Sequence, residues 1–235
     1  MHHHRIALLW TWVLLAVAVA TMCLVAPPTT GMADVLDKGD IVYVSVMDGT
    51  CAGHMPCYTN IQAAVASAPL QSTVRVATGT YTDPDTASRG YLVWINKNLR
   101  LEGGWNAGFT TRDPDAYPTI LDAQGMARVM RIYNPAQAIR VAVEGFHIQG
   151  GNATGLGFDC GSSANGCGGG ILGANATLLI ADNVITGNVA TATTTDPYAP
   201  GLGGGVYLWG SDVVTAMLRA NTIQNNVAHQ AQSDL

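Results

Sequence analysis

The stretch from Ala138 to Ala228 carries one phrase three times: VAVEGFHI at Val141–Ile148, LLIADNVI at Leu178–Ile185 and AMLRANTI at Ala216–Ile223. The three align without gaps. Their closing isoleucines, Ile148, Ile185 and Ile223, stand 37 and 38 residues apart. A fixed period of this size marks a chain built of stacked units, none of which buries its apolar face alone.

The interior of each unit narrows the architecture. Gly168-Gly169-Gly170-Ile171 opens one unit and Gly203-Gly204-Gly205-Val206 opens the next, 35 residues on. Short apolar runs follow, Ile171-Leu172 or Val206-Tyr207-Leu208, then Leu178-Leu179-Ile180, then Val184-Ile185. Gly and Asn separate them, and no helix-length apolar period intervenes. Gly168–Asn188 and Gly203–Asn226 have room for three strands and three corners. The rest of each period, Val189–Leu202 and Asn152–Cys167, reads as a loop leaving one corner. Earlier in the chain, Leu99-Arg100-Leu101-Glu102-Gly103 matches Val141-Ala142-Val143-Glu144-Gly145. Strand alternation turns Leu99, Leu101, Val141 and Val143 inward and Arg100, Glu102 and Glu144 outward.

On these residues, from about Val42 to Ala228, the chain resembles the secreted bacterial right-handed parallel β-helix proteins of the pectin-lyase-like superfamily. Gly103–Gly125, with Asp113-Pro114 and Tyr117-Pro118 marking a loop, is similar to a recurring segment of that family. The resemblance implies an all-β fold, a right-handed parallel β-helix whose open end is covered by an N-terminal capping helix. Asn60 or Thr59 caps a candidate helix with the apolar face Ile61, Val65 and Ala68, ended by Pro69. The fold hosts many functions and fixes none of them.

The expected organisation has three parts: residues 1–33 a signal peptide, 34–90 the N-terminal strands and capping helix, and 91–235 the coils with long corner loops. Arg5 precedes the apolar run Ile6–Ala20, which thins towards Ala26, and Gly31-Met32-Ala33 offers small residues at a cleavage site. An uncleaved anchor is the alternative, since Ile6–Ala26 is long enough to span a bilayer. The chain stops nine residues after Asn226 with no closing element, so a C-terminally truncated protein is expected, its missing part carrying further coils or an anchor. Membrane contact is expected only through these two ends.

Only 11% of residues are charged and the formal net charge is −5, so there is no basic field for nucleic acid. Cleavage would leave four cysteines in two close pairs, Cys51/Cys57 and Cys160/Cys167. In an exported chain these read as disulfides within each pair. No CxxC spacing supports a metal site, and none is expected.

Candidate sites are few. Asn183 and Asn221 share a corner with Phe146 and are expected to form a structural ladder, since buried amides must be satisfied. Glu102 and Glu144 stack on the outer face beside Arg100 and Arg140. Family lyases use acidic Ca²⁺ ligands with an Arg or Lys base, so these four are the catalytic candidates and Ca²⁺ the one possible cofactor. A solvated charged face is the plainer reading. Tyr207 and Trp209 are the candidate ligand-binding residues, with Tyr207 expected to be exposed by alternation. No nucleophile elbow, phosphate-cradling loop or HExxH motif occurs. Two functions remain: a non-catalytic secreted or cell-surface module presenting loops for adhesion or glycan binding, or a polysaccharide lyase or hydrolase.

Overall fold

The computed structural model describes residues 39–156, 166–191, 201–210 and 215–229. All described residues belong to one compact unit. The expected signal peptide lies outside them. Among the described residues no helix is long and apolar enough to cross a membrane.

Among the described residues the fold is all-β, with two short α-helices. In chain order the strands and helices are β1 (Ile41–Val44), β2 (Cys57–Tyr58), α1 (Ile61–Ser67), β3 (Ser72–Ala77), β4 (Gly79–Tyr81), α2 (Thr86–Arg89), β5 (Tyr91–Ile95), β6 (Leu99–Trp105), β7 (Thr119–Asp122), β8 (Arg128–Ile132) and β9 (Ile139–Glu144). There follow β10 (Phe146–Gln149), β11 (Gly166–Cys167), β12 (Ile171–Ala174), β13 (Ala176–Ala181), β14 (Val184–Thr186), β15 (Gly201–Leu202), β16 (Val206–Trp209), β17 (Ala216–Arg219) and β18 (Thr222–Gln224). They form a seven-stranded sheet β17-β13-β9-β6-β3-β1-β2, a five-stranded sheet β18-β14-β10-β7-β4, a four-stranded sheet β16-β12-β8-β5 and a small pair β11-β15. From β5 onward the chain visits the four-, seven- and five-stranded sheets in turn, and each circuit adds one parallel strand to each.

The register stacks like on like. Leu178 lies between Val141 and Ala216, Ile180 between Val143 and Leu218, and Ile185 between Ile148 and Ile223. Leu121 and Tyr81 extend the last file. All of these side chains except Ala216, Leu218 and Ile223 fill one continuous core with Val93, Ile95, Met130, Ile132 and Ile171. The final circuit departs from this. Leu218 and Ile223 remain 45% and 46% exposed, although their register partners are fully buried.

Two corners of each circuit are built alike. Gly145, Asp182 and Ala220 all adopt the left-handed backbone, and so do Gly150, Gly187 and Asn225. For Asp182 and Ala220 this conformation is costly. The residue that follows supplies compensation. The Asn183 Oδ1 accepts from the Phe146 N–H at 2.9 Å, and its Nδ2 donates to the Val143 carbonyl at 2.9 Å. Asn221 does the same one circuit on, to the Asn183 N–H and the Ile180 carbonyl. A second ladder runs through Gly151, Asn188 and Asn226 with the same bonds. Gly151 has to be glycine here, because a Cβ would collide with the Gly169 carbonyl.

The first circuit is covered by α1. Asn60 caps it, accepting from the Ala63 N–H at 2.9 Å, and Ile61, Ala64 and Val65 turn inward against β1, β2, β3 and β5. The Lys97 ammonium donates to the Ala66 and Ala68 carbonyls at the other end of the helix, each at 2.9 Å. The Asn60 Nδ2 also donates to the buried Asp83 carboxylate at 2.7 Å, which pairs with Arg89 at 2.8 Å and so ties α1 to α2. The loop before α1 is closed by the Cys51–Cys57 disulfide, with Cα atoms 5.7 Å apart. Cys167 is disulfide-bonded too, and the expected partner, Cys160, lies outside the described residues.

Two outcomes test this packing. Ile185→Asp removes about 2–3 kcal/mol of apolar burial and places an unpaired charge in the file, so thermal unfolding followed by circular dichroism should find it unfolded or severely destabilised. An unchanged midpoint would place Ile185 outside the core. Asp83 supplies a pH dependence. Burial acts to raise its pKa, but the bonds from Arg89, Asn60 and the Asp85 N–H outweigh burial and hold it below the ordinary carboxylate value. A depressed folded-state pKa gives stability that is complete above the unfolded value, about 3.9, and fades as pH falls through the folded value. The gap in melting midpoint between the wild-type chain and Asp83→Asn should be present at pH 7 and close below about pH 4.

Candidate functional site

The outer face of the seven-stranded sheet holds Glu102 and Glu144 side by side, because β6 and β9 pair in register. The wider file runs Tyr43, Arg75, Glu102, Glu144, Ala181, Arg219. Arg100, one residue before Leu101, reaches across two strands. Its Nε lies 2.9 Å from a Glu102 oxygen and a terminal nitrogen lies 2.8 Å from Glu144. Arg75 approaches the other Glu102 oxygen at 3.6 Å and stacks over Trp105 at 4.3 Å. The expectation of a solvated charged face is corrected here: Glu102 and Glu144 are 8% and 4% exposed. Guanidinium groups face three of the four carboxylate oxygens, and two positive charges match two negative ones. A Ca²⁺ site needs surplus negative oxygen, which this arrangement does not offer. Arg140 stands apart, exposed, its backbone N–H donating to the Asn98 side chain at 2.8 Å. The structure thus gathers Arg100, Glu102 and Glu144 and leaves Arg140 out. Among the described residues no three His, Cys, Asp or Glu side chains converge on a point.

The four-stranded sheet presents a different surface. Pairing of β5, β8, β12 and β16 aligns Trp94, Arg131, Leu172 and Tyr207 in one lateral file. The Trp94 indole N–H donates to the Tyr133 carbonyl at 3.0 Å, which fixes the ring. The Arg131 guanidinium lies 5.4 Å from the Trp94 ring and 5.5 Å from the Tyr133 ring, within cation–π range. Tyr207 is not the open ring that alternation alone implies. It is half-buried against Cys167, Leu172 and Leu202, because the β11-β15 pair folds beside it. Trp209, two residues on, is 44% exposed.

Beside this file a cavity of about 250 Å³ is lined by Arg89, Tyr91, Arg128, Arg131 and Leu156. Arg128 is itself buried and donates to the Leu156 carbonyl at 2.9 Å, holding that loop against the sheet. Arg89 lies 5.8 Å from the Tyr91 ring. Sequence reasoning missed this group. Arg128 and Arg131 are three apart, so alternation assigns them to opposite faces; they converge because Arg128 opens β8 at a corner. The second ladder, Asn188 and Asn226, has its signal in the sequence as two asparagines 38 residues apart. Asn183 and Asn221 lie at the corners already described.

Comparison with protein families, with curated proteins and with solved structures finds no match.

Arg100 should act on stability through both acids. Arg100→Met leaves Glu102 and Glu144 buried side by side, a loss of about 3 kcal/mol or more of the size seen when a buried pair loses one partner. Adding Glu144→Gln should restore a substantial part, read as a non-additive double-mutant cycle in denaturant unfolding. Strict additivity would mean that the two side chains do not interact.

Proposed function

We propose that this chain is a right-handed parallel β-helix of the pectin-lyase-like kind, exported and displayed outside the cell as a non-catalytic module that binds glycan. The circuit-by-circuit visiting of three parallel sheets supports the architecture. The Cys51–Cys57 bond and the N-terminal sequence pattern support export. The observation that carries the binding role is the alignment of the half-buried Trp94, Arg131 and Tyr207, with the exposed Trp209 beside them and Leu172 buried between. Rings held rigid on parallel strands offer broad faces at low entropic cost, and sugar rings stack on such faces. The lyase reading draws less support, because its acids Glu102 and Glu144 are taken up by Arg100 and Arg75.

A glycan array probed with the exported chain tests this reading. Binding of at least one glycan is expected, with Trp209→Ala weakening it by about tenfold, the size of one lost aromatic stack with its buried area. An array without hits, or a Trp209→Ala variant that binds as well as wild type, would sink the proposal. Release of unsaturated uronate ends from pectate or alginate in the presence of Ca²⁺ would establish the lyase instead.

A further inference from the structure

The cavity beside the four-stranded sheet is walled by three arginines that reach it from separate places in the fold. Arg89 closes α2, Arg128 opens β8, and Arg131 follows later in the same strand. Each is held by partners of its own. The Asp83 carboxylate meets Arg89 at 2.8 Å, with Asp85 farther off at 3.9 Å. Arg128 donates to the Leu156 and Cys167 carbonyls at 2.9 and 3.4 Å. Arg131 rests against the Trp94 and Tyr133 rings. The guanidinium groups are therefore in place before any ligand arrives, which spares the ligand the entropic cost of ordering long side chains. Among the described residues that line the cavity none is acidic. Leu156 and the Tyr91 ring supply its apolar surface, with Leu156 3.7 Å from where a Gly90 Cβ would stand.

We propose that this cavity binds a phosphate group, free or as a monoester. Guanidinium groups stay charged at every physiological pH and pair with phosphate oxygens through parallel N–H donors. A carboxylate offers a single charge and oxygens confined to one plane. A phosphate monoester carries about −2 at neutral pH and turns its terminal oxygens in several directions. That suits cations arriving from the end of a helix and from two positions of opposite parity on one strand. The Leu156 side chain and the Tyr91 ring give the carbon body of an ester an apolar wall to lie against. This inference goes beyond the glycan reading, because the group recognised is the phosphate, whatever carries it.

The test is calorimetric titration of the full chain with inorganic phosphate, phenyl phosphate and benzoate at constant ionic strength. Saturable binding of at least one phosphate probe is expected, with benzoate weaker by about tenfold or more. Tighter binding of phenyl phosphate marks a monoester as the source, and tighter binding of the inorganic ion marks free phosphate. Arg131→Gln should weaken phosphate binding by about tenfold, the size of one lost charge-assisted contact, while Arg219→Gln on the seven-stranded sheet binds as wild type does. Should Arg131→Gln fail to fold, the wild-type chain still decides. Phosphate should protect Arg89 and Arg131 from phenylglyoxal, read by mass spectrometry, and leave Arg140 and Arg219 reactive. The proposal is overturned if neither phosphate probe binds, if benzoate binds as well, if a folded Arg131→Gln variant keeps full affinity, or if protection falls on other arginines.

Discussion

Parallel pairing between one circuit and the next is the interaction on which the rest depends. A strand such as β13 has no partner within its own circuit; its neighbours β9 and β17 lie one period away in each direction. The backbone hydrogen bonds of the sheets thus join residues far apart in the chain, 37 or 38 apart in the later circuits, and forming them puts like side chains above one another. The apolar file Leu121, Ile148, Ile185 and the amide file Asn183, Asn221 are consequences of the same register. A slip by one residue in any strand would turn its inward residues out, so core and corners hold each other in place.

The corners carry the cost of this arrangement. Turning sharply between sheets places left-handed backbone at several positions of each circuit, and at the two ladder corners the chain meets this unevenly. Gly145, Gly150 and Gly187 adopt it without steric penalty, while Asp182, Ala220 and Asn225 do not. The residue after each of Asp182, Ala220 and Asn225 is an asparagine whose side chain satisfies the neighbouring circuit. Asn188 follows the unstrained Gly187 with the same bonds, so the ladder belongs to the corner whether or not the turn is strained. Each of these bonds points back along the chain, so every ladder asparagine serves the circuit before its own. The first circuit is closed by α1, held through its Asn60 cap and its Lys97 contacts.

The outer faces divide in character for the same reason. On the seven-stranded sheet, register brings two acids together, and buried like charges demand counter-ions; Arg100 and Arg75 supply them. That cluster looks functional when read from the types of its residues and structural when read from its pairings. On the four-stranded sheet the same lateral alignment produces a file of Trp94, Arg131, Leu172 and Tyr207, in which the Trp94 indole N–H is held by the Tyr133 carbonyl and the rings are the recognisable chemistry.

The sequence by itself determined the period, the inward files and the asparagine corner at 183 and 221, because a repeat of 37 and 38 residues without gaps fixes which side chains stack. Alternation also assigned Arg100, Glu102 and Glu144 to one outer face. What it left open was everything decided by segments between the repeats. Whether an outward residue meets water depends on what lies over it: Glu144 and Ala181 are buried on an outer face, and Tyr207 is half-covered beside the β11-β15 pair, a sheet whose two-residue strands carry too little pattern to be read. The convergence of Arg89, Arg128 and Arg131 around one cavity likewise needed the tertiary structure, since it arises where a corner breaks the two-residue period and brings side chains of opposite parity to the same place.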